Sequence, residues 1–184
     1  MTEPQPWRVL NQETVLDHAP WLSVIRQSVE LPNGAVIHDY FLTPGRDFSM
    51  VVAVTRTNEV LLVRQYKHGA GKVALEFPAG YLDGPDEDPL DCARRELREE
   101  TGYEARKWTA LGRFCLDPNR GATQASYFLA QELVRTAEPH LDPTENLINL
   151  AVPAARINAL LRSGEMQSMA CAAAWAVAGP LVLK

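Results

Sequence analysis

The stretch Arg95-Glu96-Leu97-Arg98-Glu99-Glu100-Thr101-Gly102-Tyr103 constrains this chain more than any other. Asp88 offers an N-capping carboxylate, Pro89 suits the first helical position and Gly102 suits the stop, so a helix is predicted from about Pro89 to Thr101. At roughly 100° per residue, Glu96, Glu99 and Glu100 fall within about a third of the circumference. Leu90, Ala93 and Leu97 occupy the neighbouring arc and seat the helix, while Arg94, Arg95 and Arg98 take the remaining perimeter.

Two readings of this helix are open from periodicity alone. One is a solvated helix laced with i, i+4 Glu–Arg pairs, the usual state of a charged helix. The other starts from the crowding of three carboxylates beside an apolar seat, each like-charge pair costing a few tenths of a kcal/mol. Divalent cations in the gap relieve that repulsion, and Mg²⁺ favours carboxylate oxygens with water and phosphate completing its shell.

The wider spacing is more specific. From Gly80 the chain reads Gly-x6-Glu87-x7-Arg95-Glu96-Leu97-x-Glu99-Glu100-x-Gly102-Tyr103. This resembles the signature of the Nudix hydrolases, Gly-x5-Glu-x7-Arg-Glu-U-x-Glu-Glu-x-Gly-U with U apolar. The departure is one extra residue within Tyr81-Leu82-Asp83-Gly84-Pro85-Asp86, a turn-rich segment able to absorb an insertion. Asp86 stands at the usual spacing and competes with Glu87 for that role.

The resemblance implies a Nudix-fold α/β/α sandwich with a mixed sheet and the signature as loop–helix–loop. It implies Glu96 and Glu100 as the principal Mg²⁺ (or Mn²⁺) ligands, Glu99 as a further ligand or a water-orienting residue, and the Ala79 carbonyl as completing the metal shell. Glu99 and Glu100 thereby become catalytic candidates. Gly80, Glu87, Arg95 and Gly102 are implied as structural, with Arg95 and Glu87 tying the loop to the helix. Metals at such a site neutralise a diphosphate and lower the pKa of a bound water.

Outside the signature, Val63-Arg64-Gln65-Tyr66-Lys67, Leu75-Glu76-Phe77-Pro78-Ala79-Gly80 and Cys115-Leu116-Asp117-Pro118 are similar to the ADP-ribose pyrophosphatase branch. The resemblance runs from about Trp21 to Val177. It implies substrate contacts at Trp21, Lys67, Tyr81 and Asp117, and a catalytic or metal-bound glutamate at Glu145. Each has a structural alternative: core packing for Trp21, a turn role before Pro118 for Asp117, an ordinary loop carboxylate for Glu145. Lys67 keeps the charge of the arginine common in relatives but not its bidentate fork. The expected reaction is cleavage of a nucleoside diphosphate sugar, ADP-ribose giving AMP and ribose 5-phosphate. The alternatives are GDP-mannose or another such sugar, a nucleoside triphosphate or dinucleoside polyphosphate hydrolase, and a non-catalytic nucleotide-sugar sensor.

The remaining chain reads as a mixed α/β fold. Trp21–Leu31 and Ala35–Leu42 flank Pro32-Asn33-Gly34 and predict a hairpin. By resemblance, residues 1–45 form a hairpin extension that builds a homodimer, and residues 46–184 form the hydrolase domain. A second hairpin is predicted from Phe48–Arg56 and Val60–Tyr66, then strands at Val73–Phe77, Trp108–Leu116, Gln124–Leu133 and Leu147–Val152. Helices are expected from near Pro153 to Gly164 and from about Met166 to Ala178, the last broken by Gly179-Pro180. Met169–Leu183 is short of the roughly 20 apolar residues a membrane span needs. A formal charge of −5 and no basic cluster argue against a nucleic-acid partner. Three scattered cysteines and no secretory signal fit a cytoplasmic protein.

Overall fold

The computed structural model describes residues 3–141, 144 and 146–183. The chain divides into two units, one formed by the segment up to Arg46 with Cys115–Gln124, the other by Asp47–Phe114 and the segment from Ala125 onward.

The first unit is a three-stranded antiparallel sheet of β1 (Arg8–His18), β2 (Leu22–Glu30) and β3 (Val36–Leu42), in that order. The β2–β3 turn follows the Asn-Gly signal. Gly34, at φ 83°, donates its N–H to the Leu31 carbonyl at 2.9 Å, and the Asn33 side chain accepts from Ala35 N at 3.0 Å. The strand β1 has no counterpart in the sequence prediction. Its register slips between Val9 and Asn11 and between Thr14 and Leu16, so bulges interrupt the two-residue alternation that marks a strand. Segment 115–124 is fastened to the end of β3: Tyr40 Oη donates to the Asn119 carbonyl at 2.8 Å, and Gly45 N donates to Thr123 Oγ1 at 2.8 Å.

The second unit holds two sheets. The first comprises β5 (Glu59–Lys67) between β6 (Lys72–Glu76) and β10 (Leu147–Pro153); the second runs β7 (Ala79–Tyr81), β4 (Phe48–Ala53), β9 (Gln124–Arg135), β8 (Tyr103–Cys115). Strand β4 lies parallel to β9 and antiparallel to β7. The turn predicted between β4 and β5 is present: Asn58 adopts φ 60°, and Thr55 N donates to the Glu59 carbonyl at 2.8 Å. The predicted second hairpin, however, amounts to one bridge, Val54 to Val60, after which the strands part into different sheets. Both are apolar on both faces, which leaves local register unspecified and lets the long-range partners decide.

Two apolar clusters fill the layers. Val51, Ala53, Leu61, Phe128 and Ala130 pack on Ala93 and Leu97 of α1 (Pro89–Thr101). On the other side Met50, Val52, Leu62 and Phe77 pack against Ile157 and Leu160 of α2 (Ile157–Ser163) and Trp175 of α3 (Met169–Val182). Alternate residues of β4 thus serve opposite layers, which is the predicted α/β/α sandwich. A 3₁₀ turn over Ala154–Arg156 precedes α2, and Gly164, at φ 78°, closes it.

The predicted break at Gly179-Pro180 does not occur: α3 starts later than expected and continues through Pro180 to Val182. Proline there removes one hydrogen bond in the last turn, and Leu183 N still reaches the Gly179 carbonyl at 2.9 Å. Among the described residues, no helix is long and apolar enough to cross a membrane.

Candidate functional site on the carboxylate helix

Helix α1 has the predicted limits. Asp88 Oδ1 accepts from Leu90 N at 2.7 Å, Pro89 opens the helix, and Gly102 ends it at φ 75° with its N–H on the Arg98 carbonyl. A side chain at Gly102 would also meet the Ala137 carbonyl, since a Cβ there would stand 2.2 Å from that oxygen. The buried residues Cys92, Ala93 and Leu97 seat the helix, and buried Ser49 on β4 donates its hydroxyl to the Pro89 carbonyl at 2.7 Å. Truncating a seat residue such as Leu97 to alanine costs about 2–5 kcal/mol.

The three glutamates are not equivalent. Glu96 and Glu100 are buried, at 8% and 3% exposure, whereas Glu99 is only half-buried. Glu100 Oε2 accepts from Ala79 N at 3.1 Å. Glu96 lies so close to Gly80 that a Cβ on the glycine would stand 2.0 Å from its carboxyl carbon. Two buried carboxylates are therefore packed on the Ala79–Gly80 backbone at the start of β7. Asn149 of β10 holds the helix from behind, its Nδ2 donating to the Glu100 carbonyl at 2.8 Å.

Arg95 is the hub of the surrounding charges. Its Nη1 donates to Glu96 Oε1 at 2.5 Å and Glu99 Oε2 at 3.4 Å; its Nε and Nη2 donate to the two Glu87 oxygens at 3.3 and 3.4 Å; Nη2 also donates to the Tyr81 carbonyl at 3.0 Å. Glu87, rather than Asp86, meets Arg95, so the extra residue is absorbed within the turn ahead of Glu87. Burial alone would raise the Glu87 pKa, but the Asp83 N–H, 2.7 Å away, and the Arg95 guanidinium outweigh it and hold the carboxyl below its ordinary value. Burial likewise works against the Arg95 charge, and Glu87 and Glu96 overcome it and raise its pKa. Burial pushes the neighbouring Cys92 thiol up to about 11, so it is not a nucleophile at neutral pH.

Ala79, Gly80 and Tyr81 also form one wall of a cleft of about 230 Å³. Phe48 and Met50 of β4, Lys67, Glu76 and Ser168 complete it. Lys67 Nζ pairs with Glu76 Oε2 at 2.8 Å, and the Tyr81 ring meets Phe48 edge-on at 6.4 Å. Lys67 and Tyr81, which the sequence nominated, thus share a cleft with the signature loop.

Of the other nominated residues, Trp21 and Asp117 belong to the first unit and Glu145 lies outside the described residues. Trp21 is 79% exposed, with the Arg46 guanidinium 6.0 Å from its ring centre, so it is not core. Asp117 closes a turn: its Oδ1 accepts from Asn119 N at 3.0 Å and its carbonyl accepts from Arg120 N and Gly121 N. Glu76 and Asn149 were missed in the sequence, although a lone amide inside Leu147–Val152 and a carboxylate before Phe77-Pro78 were both visible as polar breaks in apolar runs.

Among the described residues, no three His, Cys, Asp or Glu side chains are gathered into a ready-made cation site. The donor chemistry nonetheless fits a hard divalent ion. Glu96 and Glu100 supply buried carboxylate oxygens beside the Ala79 backbone, and Glu99 lies one helical turn from Glu96 and next to Glu100.

The model of the NUDIX domain matches residues 45–167, and the model of the nucleoside diphosphate sugar hydrolase N-terminal domain matches residues 7–42. An ADP-ribose pyrophosphatase of Bacillus subtilis (strain 168) is 38% identical over 108 residues, 58% of this chain and 57% of the relative. One of Mycobacterium tuberculosis (strain ATCC 25618 / H37Rv) is 31% identical over 159 residues, 83% of this chain and 74% of the relative. The chain thus spans a little over half the length of the Bacillus relative. A crystal structure of an ADP compounds hydrolase superposes with a TM-score of 0.88 at 25% identity, covering 100% of this chain and 97% of the other. With the domain model spanning well over half of its residues, and the signature glutamates, arginine and glycines all in place on α1 and its loop, this chain belongs to the Nudix family.

Proposed function

We propose that the chain is a divalent-cation-dependent pyrophosphohydrolase that cleaves a nucleoside diphosphate sugar, ADP-ribose being split into AMP and ribose 5-phosphate. The observation that carries this reading is the pair of buried carboxylates, Glu96 and Glu100, packed on the Ala79–Gly80 backbone that also walls the Lys67–Tyr81 cleft. The names of the Bacillus and Mycobacterium relatives support the choice of substrate.

Glu96, Glu100 and the Ala79 carbonyl would hold Mg²⁺ or Mn²⁺, with Glu99 as a further ligand or a residue that orients the attacking water. When bound, the cation neutralises the diphosphate and makes that water acidic enough to attack at neutral pH. The rest follows from the chain's own residues. Arg95 fixes the rotamers of Glu96 and Glu99 from behind and joins them to Glu87, so the carboxylates are placed before substrate arrives. Lys67 offers its ammonium to the phosphates and Tyr81 an aromatic edge to the cleft. Water adds to one phosphorus, the bridging P–O bond breaks, and the bridging oxygen leaves with the other phosphate. Glu145 is the proposed proton acceptor for that water, and Trp21 and Asp117 are proposed contacts to base and terminal ribose.

Residues 1–45 are proposed as an extension that pairs two copies of the chain. Every residue of β1 is exposed, and Val9, Leu10, Val15, Leu16, Trp21 and Leu22 leave large apolar surface on one small sheet. The free thiols of Cys92, Cys115 and Cys171 are consistent with a cytoplasmic location.

A substrate panel with Mg²⁺ or Mn²⁺ tests the reading: ADP-ribose, ADP-glucose, GDP-mannose, NADH, diadenosine polyphosphates and deoxynucleoside triphosphates. The diphosphate sugars should lead, with ADP-ribose first. Faster turnover of the triphosphates would overturn the substrate assignment.

A further inference from the structure

The cleft beside the signature loop holds a carboxylate that the reaction does not need. Glu76, at the end of β6, faces the cleft with its side chain only 14% exposed. Both of its polar contacts use one oxygen: Lys67 Nζ at 2.8 Å and Gln65 Nε2 at 3.3 Å both meet Oε2. Among the described residues Oε1 has no hydrogen-bond partner, and the carboxylate is not a buried orphan, so Oε1 is open to solvent or ligand.

Size and charge say what fits. At about 230 Å³ the cleft is below the roughly 300–1,000 Å³ that encloses a whole drug-sized ligand, so it takes part of a nucleoside diphosphate sugar rather than all of it. A phosphate would be repelled by Glu76 and drawn to Lys67, on the same wall. The part of the substrate that touches Glu76 is therefore a hydrogen-bond donor, and in a nucleoside diphosphate sugar the donors are uncharged. Sugar hydroxyls meet that demand; Ser168 adds a hydroxyl to the lining, and Phe48 and Met50 offer apolar surface to a sugar ring.

We propose that Glu76 is a specificity-determining residue that reads the sugar on the far side of the pyrophosphate, Oε1 accepting from a sugar hydroxyl while Oε2 holds Lys67 toward the phosphates. The inference rests on the pyrophosphohydrolase reading and deepens it. Glu76 would distinguish a hydroxylated leaving group from an apolar one attached through the same phosphoanhydride.

The test compares two substrates of the full chain with Mg²⁺: ADP-ribose, and an ADP ester in which an unbranched pentyl chain replaces the terminal ribose. The adenosine, both phosphorus atoms and the bond broken are the same. The wild type should favour ADP-ribose in kcat/KM by roughly 10- to 100-fold, the scale of one hydrogen bond to a charged group. Glu76→Gln, which also weakens the hold on Lys67, should lower kcat/KM for both substrates but for ADP-ribose by the larger factor, so that most of the preference disappears. Glu76→Asp retains the charge with a shorter reach; it should lose preference in the same direction, and serves if the glutamine variant does not fold. An equal fall on both substrates, as expected if Glu76 touched the base or only propped Lys67, overturns the inference alone, as does an unchanged ratio. Wild-type chain that hydrolyses neither substrate overturns the functional reading and this inference with it.

Discussion

The Glu96 carboxylate fills the space that a side chain at Gly80 would need: a Cβ on the glycine would stand 2.0 Å from its carboxyl carbon, far inside any van der Waals contact. The glycine that begins the signature is thus required by the carboxylate that the helix supplies sixteen residues later. A one-carbon side chain at position 80 must displace Glu96 or the β7 backbone. Gly80→Ala is expected to cost about 1–3 kcal/mol of stability and to lower kcat by at least about 100-fold, read from thermal unfolding and steady-state kinetics. Near-normal kcat would show that Glu96 can work from a different position.

Glu100→Gln separates charge from shape. The amide oxygen can still accept from Ala79 N, so the fold and thermal midpoint should change little, while a cation ligand is weakened. Turnover should fall by about 100-fold or more, and cation affinity measured by calorimetry should fall with it. Near-normal turnover would remove Glu100 from the site.

Glu87 makes acid stability specific to one pair. Its folded pKa is held below its ordinary value by Asp83 N–H and Arg95 against the opposing effect of burial, so the folded state binds this proton less readily than the unfolded chain. That stabilisation is present in full above the unfolded pKa, near 4.5, and disappears as pH falls through the lower folded value. Glu87→Gln should therefore lower the thermal midpoint at pH 7 and flatten its decline below about pH 4.5. A parallel downward shift at all pH values would assign the loss to packing instead.

The apolar surface of β1 predicts the state of assembly. Leu10→Glu combined with Leu16→Glu should convert a dimer into a monomer in sedimentation experiments without unfolding the second unit, whose core these residues do not join. A wild-type chain that sediments as a monomer at all concentrations would contradict the proposed pairing.

How much of this was legible in the sequence depends on whether a feature is local. Helix α1 was readable to its end residues because Asp88, Pro89 and Gly102 each act within one turn. The β2–β3 turn was readable because Asn33-Gly34 acts within two residues. Strand β1 was not, since its bulges erase the alternation and its partner β2 supplies the ladder. The parting of β4 from β5 was hidden for a related reason: Val51, Ala53 and Leu61 face one cluster and Met50, Val52 and Leu62 the other, so neither strand has a polar face to set its pairing. The continuation of α3 through Pro180 depends on how little a proline costs in a last turn. At the site, the spacing of Gly80, Glu96 and Glu100 carried the chemistry. The Glu76–Lys67 pair was not readable, because in the β5–β6 register Glu76 lies opposite Val63 and the contact is made by long side chains reaching along the strands.

The central claim is that Glu96 and Glu100 support cation-dependent cleavage between the two phosphates. The most direct measurement is product analysis of ADP-ribose hydrolysis by phosphorus NMR, with Mg²⁺ and after chelation, for the wild type and the Glu96→Gln, Glu100→Gln double variant. The account predicts AMP and ribose 5-phosphate in equal amounts from the wild type with Mg²⁺, and loss of nearly all turnover on chelation or in the double variant. Release of ADP and free ribose, or wild-type rates in the double variant, would contradict it.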